Sequence, residues 1–280
     1  MGLKALAAVL ASLLALPATS ARPIERATAY VAARQQADGG FAEAGQPSTA
    51  VVTAWAALGL VAAGRVPERA ADYLTGKPYP TATDLALRVL ALAALGRDVA
   101  VLAGRLDALR RTDGRVGALV NSTAWGVLAL RAAGRPAGAR SVRFLLRRQR
   151  PDGGWPWFPG GASDSNDTAA VIQALRAAGV PKRNRAIRRG VAYLRKLQNR
   201  DGGFALAAGR ASDAQSTAWA IQAFVAAGRA PGGAPFAFLN RLQRSDGSFR
   251  YSRRYATTPV WVTSQVLPAL ARRPFPLAPR

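Results

Sequence analysis

Two carboxylates one helical turn apart, in Asp164-Ser165-Asn166-Asp167-Thr168-Ala169, are the strongest chemical lead in a 280-residue chain with no cysteine and no histidine. Without those residue types there is no thiolate or imidazole to hold zinc, no Ser-His or Cys-His pair and no imidazole base. Chemistry must run on carboxylic acids, hydroxyls, Lys/Arg or aromatic rings, and the sequence implies no metal and no cofactor. A carboxyl group kept neutral in a dry, hydrogen-bonded pocket can protonate an alkene, and Asp164 and Asp167 are the candidate acids. Both also sit where an Asp caps a helix N-terminus. The sister segment Asp213-Ala214-Gln215-Ser216-Thr217 repeats that cap without an acid cluster.

The elements that carry these residues are written about six times. Aromatic, Gln, Asp-Gly and aromatic recur at fixed spacing in Tyr30…Gln35…Asp38-Gly39-Gly40-Phe41, Phe144…Gln149…Asp152-Gly153-Gly154-Trp155, Tyr193…Gln198…Asp201-Gly202-Gly203-Phe204 and Phe238…Gln243…Asp246-Gly247-Ser248-Phe249. A weaker copy lies at Leu109 to Gly114, and an eroded one near Tyr73 to Gly76. Each copy predicts an Arg-rich helix that stops at Asp-Gly-Gly, where glycine accepts the positive φ, followed by a second helix of Ala, Leu, Val, Ile and Trp. The second helices run Thr53 to Gly64, Ser122-Thr123 to Gly134, Asp167-Thr168 to Gly179 and Ser216-Thr217 to Gly228, with Asp84 to Gly96 and Thr263 to Ala271 as looser members. One class faces water and the other is buried, so neighbouring hairpins must stack. Six hairpins can close into an α/α toroid, although periodicity alone also permits an open solenoid.

The spelling Arg-(Gly/Ala)-x-x-aromatic-Leu-x3-Gln-x2-Asp-Gly-Gly-(Trp/Phe) resembles the QW repeat of squalene-hopene cyclases and the prenyltransferase and squalene-oxidase repeat family. The resemblance covers most of the chain after its first twenty-one residues. It implies an all-α toroid of about six helical hairpins, about twelve helices with essentially no strand, around an apolar lumen. It also implies that the repeat Gln and aromatic residues brace successive helices. Zinc-dependent prenyltransferases need Cys and His, absent here. Cyclases of the family protonate substrate with Asp-x-Asp-Asp-Thr-Ala, which 164–169 matches except at the third position, the family's proton donor. That position is Asn166, which has no proton to give.

On the second helices Trp55, Trp125 and Trp219 stand two residues after the aligned Thr, and Gln173 and Gln222 stand five after it. The offset of three puts them on one face. A Gln inside an apolar helix needs a polar partner, which a lumen holding water or ligand supplies. Such a wall suits an apolar, isoprenoid-like ligand. Trp157 and Phe158, in Trp155-Pro156-Trp157-Phe158-Pro159-Gly160-Gly161, exceed what the repeat requires and are candidates for the rim of the cavity.

Residues 1–21 read as an export signal: Lys4, an apolar run from Ala5 to Leu16, then small residues ending at Ala21. That run is short of the roughly twenty residues a membrane-spanning helix needs. The expected organisation is a signal peptide over 1–21 and one toroid domain over 22–280, acting in the periplasm, the envelope or outside the cell. The formal net charge is +24, which favours anionic partners such as a membrane or cell-envelope surface. Nucleic acid is disfavoured because no recognised binding module accompanies the scattered Arg residues. Two functions follow. The first is a non-catalytic exported toroid that binds an apolar ligand or envelope partner; the alternative is a terpene-cyclase-like isomerase using Asp164 or Asp167. A carrier role like that of cobalamin-binding toroids lacks the second, β-rich domain those proteins carry.

Overall fold

A computed structural model describes residues 21–277; the leader expected over 1–21 lies, but for Ala21, outside the described residues. Among the described residues, twelve helices alternate between two layers. The outer layer is α1 (Pro23–Ala32), α3 (Ala70–Thr75), α5 (Ala100–Ala108), α7 (Ala139–Arg147), α9 (Arg185–Lys196) and α11 (Ala234–Leu242). The inner layer is α2 (Ala50–Ala62), α4 (Ala82–Ala94), α6 (Val120–Ala132), α8 (Ser165–Ala177), α10 (Ala214–Ala226) and α12 (Pro259–Leu270). Among the described residues, named strands are confined to two antiparallel pairs of two residues each, β1 (Trp155–Pro156) with β2 (Ser163–Asp164) and β3 (Phe204–Ala205) with β4 (Ser212–Asp213).

Each inner helix packs on the next, and α12 packs on α2, so the ring is closed rather than an open solenoid. Three long-range contacts hold that seam. A Cβ on Gly59 would lie 2.5 Å from the carbonyl oxygen of Ser264, so glycine lets α2 and α12 touch backbone to backbone. Gln243 Nε2 donates to the Pro23 carbonyl at 2.8 Å, docking the last repeat on the first outer helix. Glu43 caps α12: its carboxylate accepts the amides of Val260 at 3.0 Å and Trp261 at 2.9 Å. A carboxylate at a helix N-terminus satisfies orphan donors and complements the helix dipole.

The outer helices end before the repeat Gln, not at Asp-Gly-Gly as the spelling suggests. Gln35, Gln198 and Gln243 pair antiparallel with Phe41, Phe204 and Phe249, so the motif is a tight hairpin placed after the helix. Its Gln side chain donates to the carbonyl of the first glycine at 2.8–3.1 Å in all four strong copies. The Asp accepts the amide two residues on at 2.9–3.0 Å. The two glycines divide the work. Gly202, at φ +85°, makes the turn; a Cβ on Gly203 would lie 2.7 Å from both the Phe238 ring and Ser212 Cβ.

The threonine of the inner helix is a pin rather than a cap. Thr53, Thr123, Thr168, Thr217 and Thr263 are fully buried, and their hydroxyls accept the amides of Phe41, Val116, Trp155, Phe204 and Phe249 at 2.8–3.1 Å. Each bond satisfies an amide that burial would otherwise strand, worth about 1 kcal/mol. It also fixes each hairpin to its inner helix, so every repeat offset points in the same direction relative to the ring axis. In α4, where the repeat is eroded, Leu85 takes the threonine's place. There the buried guanidinium of Arg88 donates to the Lys77 carbonyl and lies 5.0 Å from the centre of the Tyr79 ring.

Candidate active site

Because the pins hold five of the six inner helices in one register, with Leu85 of α4 at the matching position, the lumen can be read ring by ring. Two residues after the pin position stand Trp55, Leu87, Trp125, Ala170, Trp219 and Gln265; two before it stand Val51, Thr83, Asn121, Asn166, Gln215 and Trp261. All twelve line one cavity of about 320 Å3, joined by Asp84 and Asp167 from the position between. The first set is the floor and the second is the rim.

The floor is a three-fold aromatic cluster from alternate inner helices. Trp55, Trp125 and Trp219 meet edge to face, with ring centres 5.3–5.7 Å apart and planes at 82–90°. Such pairs are favourable because the positive edge of one ring meets the negative face of another. Trp219 Nε1 donates to Gln265 Oε1 at 2.9 Å, and Gln215 Nε2 donates to the same oxygen at 3.1 Å. Gln265 Nε2 is buried without a partner among the described residues, a free donor in the cavity wall.

Below the floor the lumen is filled from within the chain. After α12 the C-terminal segment turns inward, and Phe275 places its ring 6.1–6.2 Å from all three tryptophans. Its amide donates to Gln173 Oε1 at 2.8 Å, and Arg273 reaches the Val61 carbonyl at 2.9 Å at the end of α2. Gln173 and Gln222 therefore lie one turn deeper than the cavity. Gln173 serves the tail, and Gln222 leaves its Oε1 buried and without a partner among the described residues.

The rim carries the acid pair. Asp164 caps α8, accepting the Asp167 amide at 2.8 Å, while Asp167 lines the cavity and accepts from Asn121 Nδ2 at 2.7 Å. Burial pushes Asp167 well above the usual carboxylate range; the charge of Asp164 and a hydrogen bond between the two carboxyl groups push it further, against the opposing pull of Asn121. Burial also raises Asp164, but its bonds from Asp167 work the other way. Of the two carboxyl groups, Asp167 is thus the one whose neutral form the surroundings favour more. At the matching place in α10, Asp213 caps through Ser216, with amide and hydroxyl at 2.7 and 2.8 Å, and burial raises it to about 6. Serine in that position supplies no second acid. Among the described residues no cluster of three Asp or Glu side chains could hold a metal ion.

Trp157 and Phe158 do not line the cavity. They pack on each other with centres 6.1 Å apart and are about half exposed, on the loop between β1 and β2. That loop borders the rim, because the Trp157 carbonyl accepts the amide of Asn121 at 3.1 Å. The sequence reading missed Thr83, Asn121, Gln215 and Trp261. The signal was present, since all four fall two residues before the pin position, as the tryptophans fall two after it.

A closed ring of six hairpins with an aromatic-floored lumen and an acid pair at the mouth of one inner helix defines an α/α toroid of the terpenoid cyclase and prenyltransferase class. The chain belongs to the squalene-hopene cyclase C-terminal domain family, whose model matches residues 130–277, more than half of its length. The prenyltransferase alpha-alpha toroid domain model matches residues 3–77. No curated protein sequence matches the chain. Among solved structures, a protein from Actinoplanes is 21% identical over 89% of this chain and 98% of that one, with a TM-score of 0.68. A variant of the type II terpene cyclase MstE from Scytonema, in complex with geranylgeranyl dihydroxybenzoate, is 15% identical over 89% and 96%, at 0.70. Candida albicans protein geranylgeranyltransferase-I complexed with GGPP is 12% identical over 88% and 90%, at 0.64. At these identities the likeness is one of fold.

Proposed function

We propose that the protein binds the apolar end of an isoprenoid in the tryptophan-floored cavity and rearranges it by acid catalysis, as a small type II terpene-cyclase-like isomerase. The observation that carries this reading is the Asp164/Asp167 pair, with Asp167 buried in the cavity wall and its neutral form favoured there. The proton passes from the Asp167 carboxyl to a terminal alkene carbon, whose π pair forms the new C–H bond and leaves a tertiary cation. The faces of Trp55, Trp125 and Trp219 stabilise positive charge above them. A neighbouring alkene, if present, attacks the cation and closes a ring. Loss of a proton from the final cation to the acid pair restores both catalyst and double bond. Asn166, in the family's donor position, orients substrate through its amide rather than giving a proton. Incubation of purified protein with short linear isoprenoids should yield cyclised or double-bond-shifted products, absent with Asp167→Asn.

A second reading, binding without catalysis, is favoured by the amide at position 166 and by Phe275, which fills the lumen that a long substrate would occupy. Tight binding with unaltered ligand recovered after prolonged incubation would select it. Either reading fits a protein exported by a leader over residues 1–21, and the mass of the secreted form tests that cleavage.

A further inference from the structure

The floor of the cavity holds a donor that the protein itself does not use. Gln265 is 1% exposed, and its Oε1 accepts from two side chains of α10, Trp219 Nε1 at 2.9 Å and Gln215 Nε2 at 3.1 Å. An indole N–H only donates, so the bond from Trp219 fixes which end of the Gln265 amide is oxygen. Nε2 is thereby held on the other side, buried and without a partner among the described residues, in a residue that lines the cavity. Two bonds to the oxygen polarise the amide and strengthen Nε2–H as a donor. An N–H left unpaired at this depth is costly, and an acceptor on a ligand removes the cost. Gln222 is the contrast: its orphan atom is an oxygen, and it is not part of the cavity lining.

The surroundings select the acceptor. Beside Gln265 the floor is Trp55, Trp125, Trp219, Leu87 and Ala170, none with a side-chain acceptor. A hydroxyl placed there takes the bond from Gln265 but leaves its own hydrogen unpaired, whereas a carbonyl oxygen has nothing further to satisfy. A carboxylate or phosphate fits less well still, because no Lys or Arg lines this cavity and Asp84 and Asp167 do. Asp167 stands one residue before its pin, Thr168, and Gln265 two after Thr263. The acid is therefore nearer the mouth by three residues, about 4.5 Å along the helix axis.

We infer that the ligand is an isoprenoid bearing a neutral carbonyl group, whose oxygen lodges on Gln265 Nε2 at the tryptophan floor while its nearest alkene lies level with Asp167. Gln265 is then the residue that sets specificity for the oxygenated chain over a plain hydrocarbon. This rests on the reading of the cavity as an isoprenoid site and adds the functional group that the entering segment carries.

Geranylacetone, whose nearest alkene begins three bonds from the ketone carbon, is the probe. Equilibrium dialysis of the full chain compares it with the hydrocarbon lacking its oxygen, each affinity referred to the probe's own partition from water into cyclohexane, which offers no donor. On that scale the ketone should bind at least tenfold better. Gln265→Met should remove at least fivefold of this advantage and leave hydrocarbon affinity within about twofold, while Gln222→Met keeps the advantage. The infrared carbonyl stretch of the bound ketone reports the same bond in the unaltered protein. It should lie below its value in cyclohexane and return to that value in Gln265→Met. A bound ketone with the cyclohexane stretch overturns the inference whether or not the Met variant folds, and leaves the isoprenoid reading in place. Equal affinity of ketone and hydrocarbon on the partition scale does the same, as does a stretch that Gln265→Met leaves unmoved. In direct affinity from water at pH 7, the ketone should exceed its own reduced alcohol and geranylacetic acid at least fivefold. An alcohol or acid bound as tightly as the ketone overturns the choice of a neutral carbonyl. If the protein binds none of these probes, the isoprenoid reading itself falls and the inference falls with it.

Discussion

The amide of Phe275 donates to the side-chain oxygen of Gln173 at 2.8 Å across 102 residues of chain, and this bond seats the aromatic ring beneath the three tryptophans. It satisfies both a tail amide and a glutamine placed in the middle of an apolar helix, each costly to bury alone. The tail thereby sets the depth of the lumen. Phe275→Ala should cost about 3–5 kcal/mol, as other large-to-small aromatic core changes do. It should also shift the preferred ligand in a series from geraniol to geranylgeraniol towards longer chains. Thermal denaturation and the affinity series measure the two effects, and an unchanged chain-length preference would show that the tail does not limit the site.

Asp167 and Asp213 both have folded-state values above those of an unfolded chain, so the folded protein binds more protons than the unfolded one in the window between. Their contribution to stability is complete below about pH 4 and is lost as pH rises through the folded values. For Asp213 that loss is centred on pH 4 to about 6 and amounts to roughly 2–3 kcal/mol. Chemical denaturation should show lower stability at pH 7.5 than at pH 5, and Asp167→Asn should flatten part of that slope. Turnover by a proton-loaded Asp167 should fall on the alkaline side. A stability that rises from pH 5 to 7.5 would contradict the placement of these carboxyls.

Glu43 closes the ring by capping α12 from a point 217 and 218 residues away. Glu43→Ala should lower stability by about 1–2 kcal/mol. Hydrogen exchange should quicken first along the α2–α12 seam. Uniform acceleration around the ring would deny Glu43 a particular role in closure.

Gly203 has no room for a side chain between the Phe238 ring and Ser212. Gly203→Val should cost on the order of 1–3 kcal/mol through overpacking. An unaltered melting temperature would mean that the hairpin sits farther from α11.

Twenty-seven of the 39 cations but six of the 15 acids lie after residue 113, and the four ion pairs among the described residues involve acids at or before that point. Arg140, Arg143, Arg147 and Arg148 on or beside α7, and Lys182, Arg183, Arg185, Arg188, Arg195, Lys196 and Arg200 on or beside α9, are exposed. Arg189 is set apart, because it braces the carbonyls of Arg150 and Pro151. Each cation near an anionic surface contributes about 1 kcal/mol, screened within roughly 8–10 Å at moderate salt. The protein should sediment with anionic lipid vesicles at low ionic strength and leave them in molar salt. Absence of sedimentation, or binding indifferent to salt, would refute attraction by this wall.

The sequence alone determined what repeats: Arg-rich outer helices, apolar inner helices, the hairpin between them, and the offset that aligns Trp55, Trp125 and Trp219. Those features rest on helical period, glycine at a turn and a hydroxyl within 7 to 14 residues of the amide it pins, all of which act inside one copy. The family's spelling also marked 164–169 as the place to look for acid chemistry. Only the tertiary structure decided that the ring closes, because closure depends on small rotations summed over six units and on contacts such as Glu43 with α12. It decided that Asp167 faces the cavity while Asp164 caps behind it, a difference of environment that identical side chains cannot announce. It assigned Gln173 to the tail rather than to a ligand, since nothing local to α8 indicates that Phe275 will arrive there.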